Sequence, residues 1–175
     1  MADRTVRRAI ASVTCTLVFL SASLETAIAQ PSAQQRPSRL PEGVIVHRDL
    51  AYVPGGDERQ KLDLYLPNDG TNLPLIINIH GGAFKAGSKA DGVPVEYLAQ
   101  GYAVASIDYR LSQQAKYPAQ IEDCKAAVRW LRAHAPEYRL DPSRFATWGS
   151  SAGGHLAAML GANSQIIWKR DSHII

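Results

Sequence analysis

Apolar positions begin to recur in an orderly way near residue 44. Residues 44–53 are of strand-forming type and run into Pro54-Gly55-Gly56-Asp57, a turn cluster. Lys61-Leu62-Asp63-Leu64-Tyr65-Leu66 then alternates strictly, the pattern of a half-buried strand. The two segments predict an antiparallel hairpin. Leu75-Ile76-Ile77-Asn78-Ile79 is apolar almost throughout, as a strand buried on both faces is. A Gly-rich loop follows. A short helix is expected over 93–100 and another buried strand over 102–107. Residues 117–137 predict the longest helix, because Ile121, Cys124, Val128 and Leu131 recur at spacings of three and four. Asp123, Arg129 and Arg132 fall toward its other faces. Asp141-Pro142-Ser143 reads as a turn, 144–148 as a short strand, and 152–160 as a helix with Leu156, Met159 and Leu160 inward.

Strands that alternate with helices imply right-handed crossovers and a parallel sheet covered on both faces. The expected class is α/β: an antiparallel hairpin, then parallel strands with flanking helices. In such sheets reactive groups gather at the carboxyl ends of the strands.

The chain before residue 44 has a different character. Arg4, Arg7 and Arg8 precede an uncharged, mostly apolar stretch over 9–20, and Ala27-Ile28-Ala29 is a small-x-small cleavage site. This three-part pattern predicts a signal peptide over 1–29, a mature start at Gln30, and a secreted or periplasmic protein. The apolar run is shorter than the ~20 residues that span a bilayer, so no stable membrane anchor is expected. Residues 30–43, rich in Pro, Gln, Ser and Arg, read as a flexible lead-in. Removing Cys15 with the leader leaves Cys124 alone, which excludes an internal disulfide and suits a small buried hydrophobe.

Composition narrows the function classes. Of 175 residues, 46% are hydrophobic and 20% charged, an ordinary globular balance for about one domain. The formal charge is +3 with no block of like charge, so a nucleic-acid partner has no basic stripe to bind. No cluster of metal-ligand residues is apparent, and neither a metal nor an organic cofactor is expected.

Two motifs carry the chemistry. Gly149-Ser150-Ser151-Ala152-Gly153 follows a predicted strand and opens a predicted helix, the context of a nucleophile elbow. Side chains at the flanking glycine positions would collide with neighbouring elements, and Ser151 would project from the tip as the nucleophile. His80-Gly81-Gly82-Ala83-Phe84 follows the strand over 75–79. Acyl transfer needs preorganised N–H donors aimed at the developing oxyanion. The expected donors are Gly81, Gly82 and Ala152, while His80 is expected to brace the loop. His155 and Asp123 are expected to be structural, and Trp130 and Trp148 to pack in or near the core.

These stretches, with Tyr109-Arg110-Leu111-Ser112, Tyr117-Pro118-Ala119-Gln120-Ile121-Glu122-Asp123 and Ala126-Ala127-Val128-Arg129-Trp130-Leu131-Arg132, resemble the α/β-hydrolase superfamily. Within it they are similar to the bacterial feruloyl- and acetyl-esterase-like group of carboxylesterases. The resemblance covers residues 44–161, and the tail over 162–175 lacks it. It implies a serine hydrolase acting through an acyl-enzyme on a small-molecule or polysaccharide-linked carboxylic ester, with amide-cleaving relatives as an alternative. It also implies a triad in the order Ser, Asp or Glu, His, the last two after later strands. Asp171 and His173 are the only acid and the only His in the tail, and their close spacing suits that geometry poorly. The expectation is therefore the N-terminal portion of an α/β-hydrolase fold, cut short after the nucleophile helix. Such a chain would be weak or inert as an enzyme, with the strand ending at Trp148 left as a bare edge.

Overall fold

The computed structural model describes residues 40–162. The predicted leader, most of the lead-in and the tail with Asp171 and His173 lie outside the described residues. Five strands, β1 (Ile45–Ala51), β2 (Lys61–Leu66), β3 (Leu73–Ile79), β4 (Ala103–Ile107) and β5 (Leu140–Gly149), form one sheet in the order β1-β2-β4-β3-β5. β1, β2 and β4 run antiparallel to one another in turn, and β4, β3 and β5 are parallel. The expected hairpin is thus one flank of the sheet. α1 (Ala119–Ala133) connects β4 to β5, and α2 (Ala152–Ala162) follows β5. The segment predicted as a short helix over 93–100 is a 3₁₀-helix, Val95–Gln100, closed by Gly101 in the left-handed region.

The order places β3 between β4 and β5. The chain leaves β3 toward β4 over one face through the 3₁₀-helix, then returns past β3 to β5 over the other face through α1. The carboxyl end of β3 is therefore a topological switch point, where a crevice opens between diverging connections.

Each face is sealed by its own apolar cluster. Leu62, Leu64, Leu75, Ile77, Ile79 and Ile107 meet Ile121, Cys124, Val128 and Leu131 of α1 and Leu156 and Leu160 of α2. Full burial of each such aliphatic side chain contributes about 1.5–3 kcal/mol. On the other face Tyr65 and Val104 meet Val95 and Leu98.

Three expectations need correction here. β2 is buried on both faces, because its polar side is covered: Asp63 is 1% exposed and held by Lys89 Nζ at 2.7 Å and Arg48 Nη1 at 3.1 Å. Asp123 is likewise buried on the flank of α1. Asp141-Pro142-Ser143 lies within β5, where Leu73 pairs with Leu140 and Leu75 with Phe145. Three more residues stand on β5 than on β3 between those pairs, so the turn chemistry makes a bulge. Asp141 closes it by accepting from the Ser143 amide, the Ser143 hydroxyl and Arg144 Nε.

Candidate active site

β3 and β5 are neighbours in parallel, and Ile79 is paired with Gly149, the last residue of each strand. That register sets the His80-Gly81-Gly82 loop beside the Ser150-Ser151 turn. The contact is close: a Cβ added at Gly81 would lie 3.0 Å from the Ser150 carbonyl oxygen and 3.5 Å from Ser151 Cβ.

Ser151 occupies the left-handed region at φ 52°, which a non-glycine residue adopts only when its surroundings impose it. The strand ends at Gly149 and the helix starts at Ala152, so the reversal is confined to two residues. A Cβ at Gly153 would collide with the Ile79 carbonyl oxygen, so glycine there lets α2 start hard against β3. The turn is fastened by the Gly153 amide donating to Ser150 O (2.9 Å) and the His155 amide donating to Ser151 O (3.0 Å). Ser151 is exposed at the tip and Ala152 is buried.

The facing loop is as tightly specified. Gly82 sits at φ +108°, and its carbonyl accepts from the Lys85 and Ala86 amides. Ala83 and Phe84 also take positive φ, 53° and 61°. Phe84 O accepts from the Ser112 amide, which ties the loop to the segment after β4. The Gly81 and Gly82 amides donate to no protein acceptor among the described residues. The structure thus brings Gly81 against Ser150 and Ser151, with Gly82 and Ala152 next to them along the chain.

Behind the loop, the His80 ring is buried. Its Nδ1 is 2.7 Å from Gly81 O and its Nε2 is 3.3 Å from Asp108 Oδ1. It stacks on Tyr109 at 4.3 Å and 8°, and the Tyr109 hydroxyl donates to His80 O at 2.9 Å. Burial pushes the Tyr109 phenol well above its ordinary range, so it stays a neutral donor. Among the described residues His80 and Asp108 are the one imidazole–carboxylate pair.

Asp123 is structural, as expected. Its carboxylate accepts from Arg110 N, Nε and Nη2 and from Gln60 Nε2, all at 2.7–3.0 Å. That hydrogen bonding holds the Arg110 guanidinium above its usual value. Cys124 is a fully buried thiol whose pKa burial raises.

One other residue differs from expectation. Trp148 is 49% exposed, because β5 pairs on one side only among the described residues. It meets Tyr97 edge-on and lines a groove of about 1030 Å³ with Ser150, Asn78 and Val93. His155 is exposed on α2 and edge-on to Phe84. With Phe84, Ser112, Tyr117 and Met159 it borders a pocket of about 240 Å³. Sequence reading missed that pocket because its walls come from three separate segments. The described residues contain no helix long and apolar enough to cross a membrane.

The BD-FAE family matches residues 62–169, more than half of the chain. Carboxylesterase NlhH of Mycobacterium tuberculosis is 37% identical over 130 residues, which cover 71% of this chain and 40% of that protein. A truncated form of a carbohydrate esterase from gut microbiota superposes with TM-score 0.63 at 37% identity, over 67% of this chain and 43% of the other. Esterase B from Lactobacillus rhamnosis does so with TM-score 0.64 at 34% identity, over 70% and 40%. The chain therefore spans less than half the length of these relatives. The elbow, the loop it faces and the mixed sheet that aligns them are those of a carboxylesterase-type α/β-hydrolase, and the chain belongs to the BD-FAE family.

Proposed function

We propose that this chain carries the nucleophile and oxyanion hole of an exported serine esterase. The observation that carries the reading is the pairing of Ile79 with Gly149, which sets Gly81 against Ser151. Ser151 Oγ attacks the carbonyl carbon of a carboxylic ester, the alcohol leaves with a proton, and water releases the acyl group. The Gly81, Gly82 and Ala152 amides stabilise the tetrahedral oxyanion. Ala152, as the first residue of α2, has an N–H outside the helical ladder. The substrates are carboxylic esters, such as short-chain, acetyl or feruloyl esters, free or on polysaccharide. Relatives named as a carboxylesterase and a carbohydrate esterase support the carboxylic-ester class.

The test is covalent. A fluorophosphonate should label the full chain at Ser151, and Ser151→Ala should abolish labelling. Hydrolysis of a short-chain aryl acetate should follow the same pattern. A folded wild type that takes no label would overturn the reading.

A second reading is a chain that keeps the elbow but does not turn over by itself. The engagement of His80 favours it: both its ring nitrogens face groups other than Ser151. Labelling of Ser151 without ester turnover would select this reading. The export step is checked separately, by sequencing the secreted protein's amino terminus, which should begin at Gln30.

A further inference from the structure

We propose that the pocket between the Gly81-Gly82 loop, the segment after β4 and α2 holds a single ring of the ester, and that Gln120 selects a ring bearing a hydroxyl. Use of the pocket by the substrate rests on the function proposed above. Its preference for a hydroxyl does not.

The pocket measures about 240 Å³. An apolar cavity of about 150 Å³ holds benzene, so this one has room for one ring with a small substituent. Its walls suit such a guest. Leu156 and Met159 come from α2, and Phe84 comes from the loop. Ala83 and Phe84 both take positive φ, and the Ser112 amide donates to Phe84 O at 2.8 Å, which fixes Phe84 in the wall. Phe84 meets His155 edge-on at 6.3 Å. The His155 amide in turn donates to Ser151 O, so this wall stands one helical turn, about 5.4 Å, from the proposed nucleophile.

One polar side chain interrupts the apolar lining from below. Gln120, the second residue of α1, is 4% exposed and lines the pocket. Its Nε2 donates to Arg110 O at 3.0 Å and to Ala115 O at 2.8 Å, which uses both amide hydrogens. Turning the amide over would set its oxygen against two carbonyl oxygens, so the orientation is fixed. Oε1 then receives no hydrogen bond among the described residues, yet it is not sealed. The opening left to it is the pocket. An apolar ring that excludes water leaves this acceptor bare, whereas a ring hydroxyl donates to it. An ether oxygen does no better than the bare ring, because it is itself only an acceptor. Gln120 therefore acts on which ring binds and not on the bond-making at Ser151.

The experiment uses the full chain with its two methionines ¹³C-labelled at the methyl group; Met159 lines the pocket and the other is Met1. 4-Methylphenol should shift the Met159 signal saturably. Toluene should bind about tenfold more weakly, the scale of one hydrogen bond left unmade at a buried acceptor. 4-Methylanisole should match toluene. In Gln120→Leu the phenol should lose its advantage. That change also removes two bonds to the loop, so Met159→Trp is the second variant. It keeps Gln120, fills the pocket, and should bind none of the probes by saturation-transfer NMR. Equal affinity for 4-methylphenol and toluene in the wild type would overturn the role of Gln120. A Met159 signal that no probe moves would overturn the pocket. For the substrate, two pairs of fluorophosphonates carry a 4-hydroxyphenyl or a phenyl group, on the substituent that mimics the acid or on the one that mimics the alcohol. In one pair the hydroxyl should speed labelling of Ser151 about tenfold, and that pair identifies the half of the ester that enters. No gain in either pair would overturn use of the pocket by the substrate. If no fluorophosphonate labels Ser151, the serine-esterase reading fails and this use fails with it, while the Met159 shifts still decide whether the pocket selects a hydroxyl.

Discussion

Ser151 is held where a side chain is disfavoured. Left-handed backbone costs a non-glycine residue about 1–2 kcal/mol, and the proposed nucleophile is one of the residues that bear it. Glycine at this position would relieve it, and alanine would not. Ser151→Gly is therefore expected to be more stable than Ser151→Ala by about 1 kcal/mol, read from denaturant midpoints at equal slopes. Equal stability would mean that the turn is not strained. Gly153 works in the opposite sense, because a methyl group there meets the Ile79 carbonyl. Gly153→Ala should cost about 1–3 kcal/mol through overpacking and should reduce labelling of Ser151. Glycine spacing made both positions legible in the sequence. The burial of Asp63 and Asp123 was not legible, because a carboxylate on a strand or helix reads as a solvent-facing group. Only the fold brings Lys89 and Arg48, or Arg110 and Gln60, from distant segments to satisfy them.

At the scale of elements, apolar periodicity located every strand and both α-helices, and it erred where local chemistry acts inside an element. The Asp-Pro-Ser stretch has the composition of a loop, yet β5 passes through it as a bulge. Asp141 supplies the hydrogen bonds that the ladder loses there. Bonds from the Ser143 hydroxyl, then Arg144, then the Ser143 amide hold the Asp141 carboxyl down at about 2. The folded value is depressed, so the clip contributes its full stability above the unfolded value of 3.8 and loses it as pH falls through about 2. Asp141→Asn should therefore flatten stability between about pH 4 and pH 2 and leave its slope near neutrality unchanged. Acid titration of the two proteins, followed by circular dichroism, would reveal an identical slope if the clip contributes nothing.

For the whole molecule, the sequence predicted a sheet parallel beyond its hairpin with the strand ending at Trp148 as a bare edge, and among the described residues β5 stands at the edge. The inner order, with β4 between β2 and β3, depends on pairing between distant segments, to which periodicity is blind. β3 and β4 are buried almost throughout, whereas β5 buries only Leu140. Among the described residues its outer side is unpaired, and Trp148 stands half-exposed on that strand. An open strand edge carrying a large aromatic residue is a template for pairing with another chain. The full chain is therefore expected to associate with itself in a concentration-dependent way, measured by sedimentation velocity. Trp148→Lys should shift it toward the monomer, because a charge beside an open edge opposes pairing. The folded chain should lose no more than about 1 kcal/mol, the value of the edge-on contact with Tyr97. A wild type that stays monomeric at every concentration, or a variant that associates equally well, would remove β5 as a contact surface. Lys at 148 also leaves Ser151 and its loop untouched, so Ser151 labelling per folded molecule should be the same in both. Labelling that fell together with association would instead mean that a second chain, paired along β5, helps to hold the elbow in its working shape.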